Sequence, residues 1–293
     1  MGFDTSHAVH FTRRINHIGV PSDQWVKGAR VVAGYPGEHS SFVSDEVLEE
    51  RTKEIREAGV EIVDSPEALI GSVDAVMLEF QDGSQHLQQA KPFIEARIPI
   101  FIDKPFACSL RDAKEIARLA EENGVPVFSS SSLRYALEVQ NLKSRRDIGG
   151  ILGVDAYSPG PTHPKNPGLF NYGIHAVEVL YALMGPGCRS VRCIHDERWD
   201  KVIGVWNDGR IGTVRAMRMG VHGYGFTAFY EKGIFPCSID TRYIYRELLK
   251  RVIEMFNTKV PPINIWETIE IVAFIEAALR SAEKNGSELT IQL

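Results

Sequence analysis

The sequence predicts an α/β protein in two parts. A doubly wound parallel sheet comes first, followed by an α+β region with a mostly antiparallel, open-faced sheet. Three observations carry this. Up to about residue 130, short apolar runs alternate with amphipathic helical patterns, as parallel strands joined by crossover helices do. Beyond it the alternation stops, and several strands with turn signals follow one another between Ser190 and Phe235 with no long helix between them. Finally, Pro99 to Ile102 is apolar and then breaks into Asp103-Lys104-Pro105. That is a buried parallel strand ending in a charged pair, at the edge where open α/β sheets place their ligands. The expected domains are 1–130 and 131–293.

In chain order, Asp4, Thr5 and Ser6 are good N-caps for a short amphipathic helix ending near Asn16. Ala29–Ala33 reads as a strand, Ser44–Ala58 as a charged helix closed by Gly59, and Val60–Asp64 as a strand. Ser65–Ile70 is a short helix, Val73–Phe80 a strand and His86–Arg97 a helix. Ser109–Asn123 is amphipathic, with a Ser cap and a Gly124 stop, and Val125–Phe128 is a strand running into four serines. A helix is expected over Leu133–Arg145, a strand over Gly153–Tyr157, and a Pro/Gly-rich loop over Ser158–Gly168. Phe170–Met184, Arg242–Asn257 and Trp266–Lys284 read as helices, Asn207-Asp208-Gly209 as a hairpin turn, and Leu289–Leu293 as a last strand.

Composition excludes several classes. The 293 residues are 44% hydrophobic and 24% charged with a net charge of −5, which gives a soluble globular class and no basic footprint for nucleic acid. No apolar run approaches the ~20 residues of a membrane helix, and the polar opening lacks the apolar core of a secretory signal. Cys108, Cys188, Cys193 and Cys237 show no paired spacing and read as reduced thiols of a cytoplasmic protein. Asp82, His86, His163 and Glu178 come from distant segments without ligand spacing, so no metal is expected.

Asp103-Lys104-Pro105, Gly173-Ile174-His175 and His86 stand in the order and element context of a known set of motifs. With them, nearly the whole chain resembles the glucose–fructose oxidoreductase/inositol dehydrogenase/MocA (Gfo/Idh/MocA) family. The resemblance implies a Rossmann-like domain for NAD or NADP and a second domain that binds a hydroxylated small molecule. It implies that Lys104 contacts the nicotinamide ribose and the reacting hydroxyl, while His175 takes the hydroxyl proton. The chemistry agrees: imidazole, with a pKa of about 6.5, accepts such a proton, and a cation steadies the oxyanion that forms. The same resemblance makes Gly2, Asp4, Thr5, Ser6 and His7 the phosphate loop. It adds Tyr35, Asp82, His86 and Asp103 as further cofactor contacts, and homodimers or homotetramers through the second sheet, with Trp206 or Phe229 in the interface.

Three departures stand out. In the loop, Asp4 and His7 replace two glycines that let a backbone approach a pyrophosphate. No strand precedes Gly2 in this sequence, so a start set too far downstream is expected, or else a sheet closed over the gap. The second strand ends in Gly34-Tyr35-Pro36-Gly37, with neither an acid for NAD nor an arginine for NADP. Asn171 stands where relatives carry an acid and is expected to orient substrate. Arg134 contacts substrate or makes an interdomain ion pair, His163 closes over substrate or sits on a surface loop, and Tyr157 faces substrate or packs in the sheet. The expected function is reversible oxidation of a hydroxyl on a sugar or polyol. The alternatives are a redox-neutral lyase or glycosidase with tightly held NAD, and a non-catalytic sensor.

Overall fold

The computed structural model describes residues 1–220 and 223–293. Two small parallel sheets occupy the first part. One pairs β1 (Ala33–Gly34) with β2 (Glu61–Ile62); the other runs in the order β3 (Val76–Leu78), β4 (Ile100–Ile102), β5 (Val127–Phe128). Between β1 and β3 lies the opening tripeptide. Gly2 and Phe3 N–H donate to the Tyr35 and Pro36 carbonyls, each at 2.9 Å. The Met1 amine donates to Met77 O, and Glu79 N–H donates to Met1 O, both at 2.7 Å. The sheet therefore does not close over the gap; this short stretch holds its two halves together at their carboxyl ends. Residues 29–32, expected in β1, have no partner on the β3 side among the described residues, and Val32 is 46% exposed. An unpaired edge of this kind does not sustain a ladder.

The crossover helices are α1 (Ser6–Ile15), α2 (Asp45–Glu57), α3 (His86–Glu95) and α4 (Leu110–Asn123). Their ends follow local chemistry. Thr5 and Ser109 accept from N–H groups in the first turns of α1 and α4, and Gly124 closes α4 in the left-handed region (φ 65°). The strands and inward helix faces meet in one core, with Leu78, Phe93, Ile100, Ile102 and Ile116 fully enclosed.

The predicted helix over Leu133–Arg145 is broken in two. A 3-10 turn covers Ser132–Tyr135, and α5 runs from Leu137 to Ser144. Ala136 between them is extended (ψ 140°), and the Arg134 guanidinium is held by carboxylates of α6 (Ile174–Met184) and α8 (Ile265–Glu283). Tertiary ion pairing overrides helical propensity there.

The second part is built on a seven-stranded sheet of β6 (Ile151–Pro159), β7 (Cys188–Asp196), β8 (Trp199–Trp206), β9 (Ile211–Met217), β10 (Gly225–Tyr230), β11 (Gly233–Ser238) and β12 (Leu289–Thr290). Its order is β11-β10-β6-β9-β8-β7-β12, antiparallel except where β6 meets β9. Helices α6 and α8 cover one face, where Tyr181, Trp206 and Phe274 pack ring against ring. The remaining helix, α7 (Ile244–Thr258), packs back against α1. Trp206, expected at an interface, is only 1% exposed, and its indole N–H donates to Gly185 O at 2.9 Å. An aromatic this large in an alternating strand fills the covered face.

Candidate active site

Lys104 follows β4 directly, and His175 sits in the first turn of α6. Gly173, two residues before the histidine, is fixed by packing: a Cβ there would lie 2.4 Å from Leu169 Cδ2. Tyr172 joins the two functional side chains. The Lys104 ammonium lies 5.2 Å from the centre of its ring, and the His175 ring stands edge-on to it at 5.5 Å. Tyr224 adds a second aromatic wall, 5.7 Å from His175. The ammonium from the first sheet and the imidazole from the second part thus meet over one phenol ring.

Burial, reinforced by the positive charge of Lys104, holds the pKa of His175 well below the usual imidazole value. Its Nδ1 is paired with Ser131 Oγ at 2.7 Å. The hydroxyl also accepts the Leu133 N–H; in the tautomer where Nδ1–H donates to the second lone pair of Oγ, Nε2 carries the free lone pair. Ser131 was not singled out in the sequence; its only signal is its place in the run of four serines after β5. Tyr172 was missed too, although it directly precedes the Gly-x-His motif.

A cleft of about 830 Å³ opens at the carboxyl ends of the strands of the first part; neither Lys104 nor His175 lines it. Met1, Asp4, Tyr35, Glu38, Phe80 and Asp82 are among its lining residues. Volume and position suit a dinucleotide, and α1 begins beside it, two residues after the lining Asp4. The loop itself is unusual. Gly2 has φ 87°, and a Cβ on it would come within 2.4 Å of Phe80 N, so this glycine makes room for protein backbone. Asp4 is buried, with its carboxylate accepting from Ser40 Oγ at 2.8 Å and Gln81 N–H at 3.1 Å. Burial pushes its pKa up, and those two hydrogen bonds oppose the shift. Thr5 caps α1, and Ser6 is exposed. His7 turns inward, with Nδ1 2.6 Å from Asp103 Oδ2.

Several expected contacts go elsewhere. His86 is fully enclosed, with Nε2 2.8 Å from Phe80 O and Nδ1 3.3 Å from Phe106 O. It ties two loops together and cannot reach a cofactor. Asp103 faces His7 inside the protein and not the cleft. Asp82 accepts from Ser84 N–H and Oγ and from the Gln85 amide, an Asx turn at the rim. Arg134 resolves to the ion pair: Nε donates to Glu178 and Nη1 to Glu267, both at 2.6 Å, with the guanidinium buried. Tyr157 shares a face of β6 with the exposed Asp155, opposite the buried Val154 and Ala156. The two-residue period of a strand thus turns it away from α6. The Asn171 amide donates to Pro161 O at 2.9 Å, inside the loop that follows β6. His163 stacks on Phe42 at 3.8 Å, so that this loop bridges to residues 40–42. Buried Asn166, which sequence reading missed, completes the bridge by donating to Gln81 O and accepting from Gly83 N–H.

Comparison with known proteins follows this geometry. Residues 27–131 match the model of the Gfo/Idh/MocA oxidoreductase family, NAD-binding Rossmann fold. The match lies in the first part of the chain. The oxidoreductase YceM of Salmonella typhimurium is 29% identical over 130 residues, 43% of this chain and 42% of that protein. D-apiose dehydrogenase of Rhizobium rhizogenes is 24% identical over 124 residues, 36% of each chain. The match thus spans less than half the length of these curated relatives. A crystal structure of myo-inositol dehydrogenase from Lactobacillus casei, in complex with NAD(H) and myo-inositol, shares the fold. It aligns with a TM-score of 0.77 at 17% identity, over 100% of this chain and 95% of that one. The likeness to that structure extends over both parts of the fold. No helix among the described residues is long and apolar enough to cross a membrane.

Proposed function

We propose that the protein is an NAD-dependent oxidoreductase interconverting a hydroxyl and a carbonyl on a sugar, polyol or related small molecule. The observation that carries the reading is the convergence of Lys104 and His175 on Tyr172. A bound nicotinamide would supply the electron-pair acceptor. His175 Nε2 takes the hydroxyl proton, with Ser131 Oγ holding the opposite nitrogen in its N–H form. The Lys104 ammonium steadies the charge that develops on the substrate oxygen. The walls of Tyr172 and Tyr224 shield that oxygen from water and strengthen both interactions.

Tyr35, Asp4, Glu38 and Asp82 would border the dinucleotide. Glu38, beyond the end of β1, supplies the acceptor for ribose hydroxyls that the strand end itself lacks. Together with Asp4, Glu67 and Asp82 it makes the cleft acidic, which favours NAD over the 2′-phosphate of NADP. The bridge formed by His163 and Asn166 favours one variant of this function, a redox-neutral reaction in which the dinucleotide stays bound between turnovers. A homodimer or homotetramer would form through the uncovered sheet face, where Ile211 is 52% exposed; light scattering reads its mass.

The test is turnover of a sugar and polyol panel with NAD, followed by nicotinamide absorbance and by product. Wild-type turnover that Lys104→Met removes is the expected result. A rate unchanged in Lys104→Met overturns the assignment. Product without net absorbance change, with a dinucleotide that co-purifies, selects the redox-neutral variant.

A further inference from the structure

One place in the interior has more acceptors than donors. Glu79 ends the β3 run, Asp103 the β4 run, and His7 enters from the first turn of α1; Glu79 and Asp103 are each only 3% exposed. Both carboxylate oxygens of Glu79 and Oδ1 of Asp103 are buried without a hydrogen-bond partner among the described residues. One donor atom from each of the three side chains falls within a 4.8 Å span. These oxygens leave the cluster short of donors, because a buried carboxylate is strongly unfavourable unless it takes up a proton or pairs with a cation. Lys104 and the Met1 amine are the neighbouring cations, and neither forms an ion pair with Glu79 among the described residues.

We propose that His7, Glu79 and Asp103 form a binding site for one divalent transition-metal ion of the Zn²⁺ or Mn²⁺ class. One imidazole and two carboxylates are a borderline-to-hard donor set, suited to these ions and not to the soft ones that need thiolates. A tetrahedral ion with bonds of about 2.1 Å holds its ligands about 3.4 Å apart, so the widest pairs draw in slightly while His7 Nδ1 and Asp103 Oδ2, now 2.6 Å apart, open to admit the ion. The imidazole is already held in place by its neighbours. The His7 ring is stacked on Phe11 at 4.9 Å and held edge-on by Tyr245 at 5.0 Å. Locked ligand orientation is what sets affinity at such centres. The departure from glycine at position 7 and the charged residue that interrupts the apolar run at position 79 thus share one explanation, independent of the reaction next door.

The test uses the full-length protein stripped with chelator, dialysed against ZnCl₂ or MnCl₂, and assayed by elemental analysis and titration calorimetry. One equivalent of metal per chain in wild type is expected, with an Mn²⁺ spectrum changed by imidazole coordination. Glu79→Gln and Asp103→Asn keep side-chain size and should each weaken binding at least ~100-fold. The absence of stoichiometric metal in wild type with both ions overturns the site, as does unchanged affinity in a folded Glu79→Gln protein. Wild-type stoichiometry decides the matter even where a variant does not fold, and none of these readouts depends on NAD or on turnover.

Discussion

At the scale of single residues, the chemistry depends on which form of His175 is populated. Its imidazole is held below its ordinary pKa by burial and by Lys104, so the neutral, proton-accepting form persists as pH falls through 6.5. The acid limb of the rate profile should therefore lie below pH 6.5; a limb above that value would show that another group acts as base. Replacing His175 by Ala should lower turnover by about 10²–10⁴. Ser131→Ala removes the hydrogen bond at Nδ1 together with the cap on Leu133 N–H. It should reduce kcat about tenfold, the equivalent of one hydrogen bond of ~1.4 kcal/mol, with little change in KM. A rise in KM with kcat unchanged would assign the serine to substrate binding instead.

At the scale of elements, two joints hold the parts in place. Arg134, in the turn before α5, bridges Glu178 of α6 and Glu267 of α8 inside the protein. Arg134→Met would leave two carboxylates facing each other without a counter-ion, and should destabilise the fold by about 3–5 kcal/mol in denaturant titration. The other joint is the loop after β6. Asn166→Ala strands the Gly83 N–H and Gln81 carbonyl, which should cost about 1–3 kcal/mol of stability. Because that loop crosses the rim of the cleft, retention of NAD should weaken in the same variant, as measured by the dinucleotide that survives gel filtration. Helix and strand identities were largely legible here, because amphipathic periods, Ser caps and Gly stops are local signals. Strand lengths were not. Ala29–Ala33 and Val73–Phe80 have strand composition throughout, but backbone pairing is limited to residues with a neighbour on at least one side.

At the scale of the whole molecule, the cleft and its charge decide affinity. Asp4 places a carboxylate where the phosphates of a dinucleotide would pass, engaged by Ser40 and Gln81. Asn at this position keeps one acceptor for the Gln81 N–H and offers an N–H to Ser40 while removing the charge. Asp4→Asn should therefore tighten NAD binding, by about fivefold or more at low salt, with the gain shrinking as salt rises. Isothermal titration at two ionic strengths checks it, and unchanged affinity would mean the pyrophosphate does not pass this residue.

The sequence alone determined the two-part fold class and most of its elements, and it singled out Lys104 and His175 as candidates, since each rests on local pattern or on a short motif in its element context. It could not determine what those side chains touch. Ser131, Tyr172 and Asn166 are ordinary residues whose roles arise from contacts across 44, 68 and 85 positions of chain. Arg134, His86 and Tyr157 have suitable chemistry for a site, yet packing turns them to ion pairing, loop bracing and the far side of a strand. Direction is set by tertiary contacts, and composition carries no record of it. The same holds for Glu79, Asp103 and His7, which only the fold brings together.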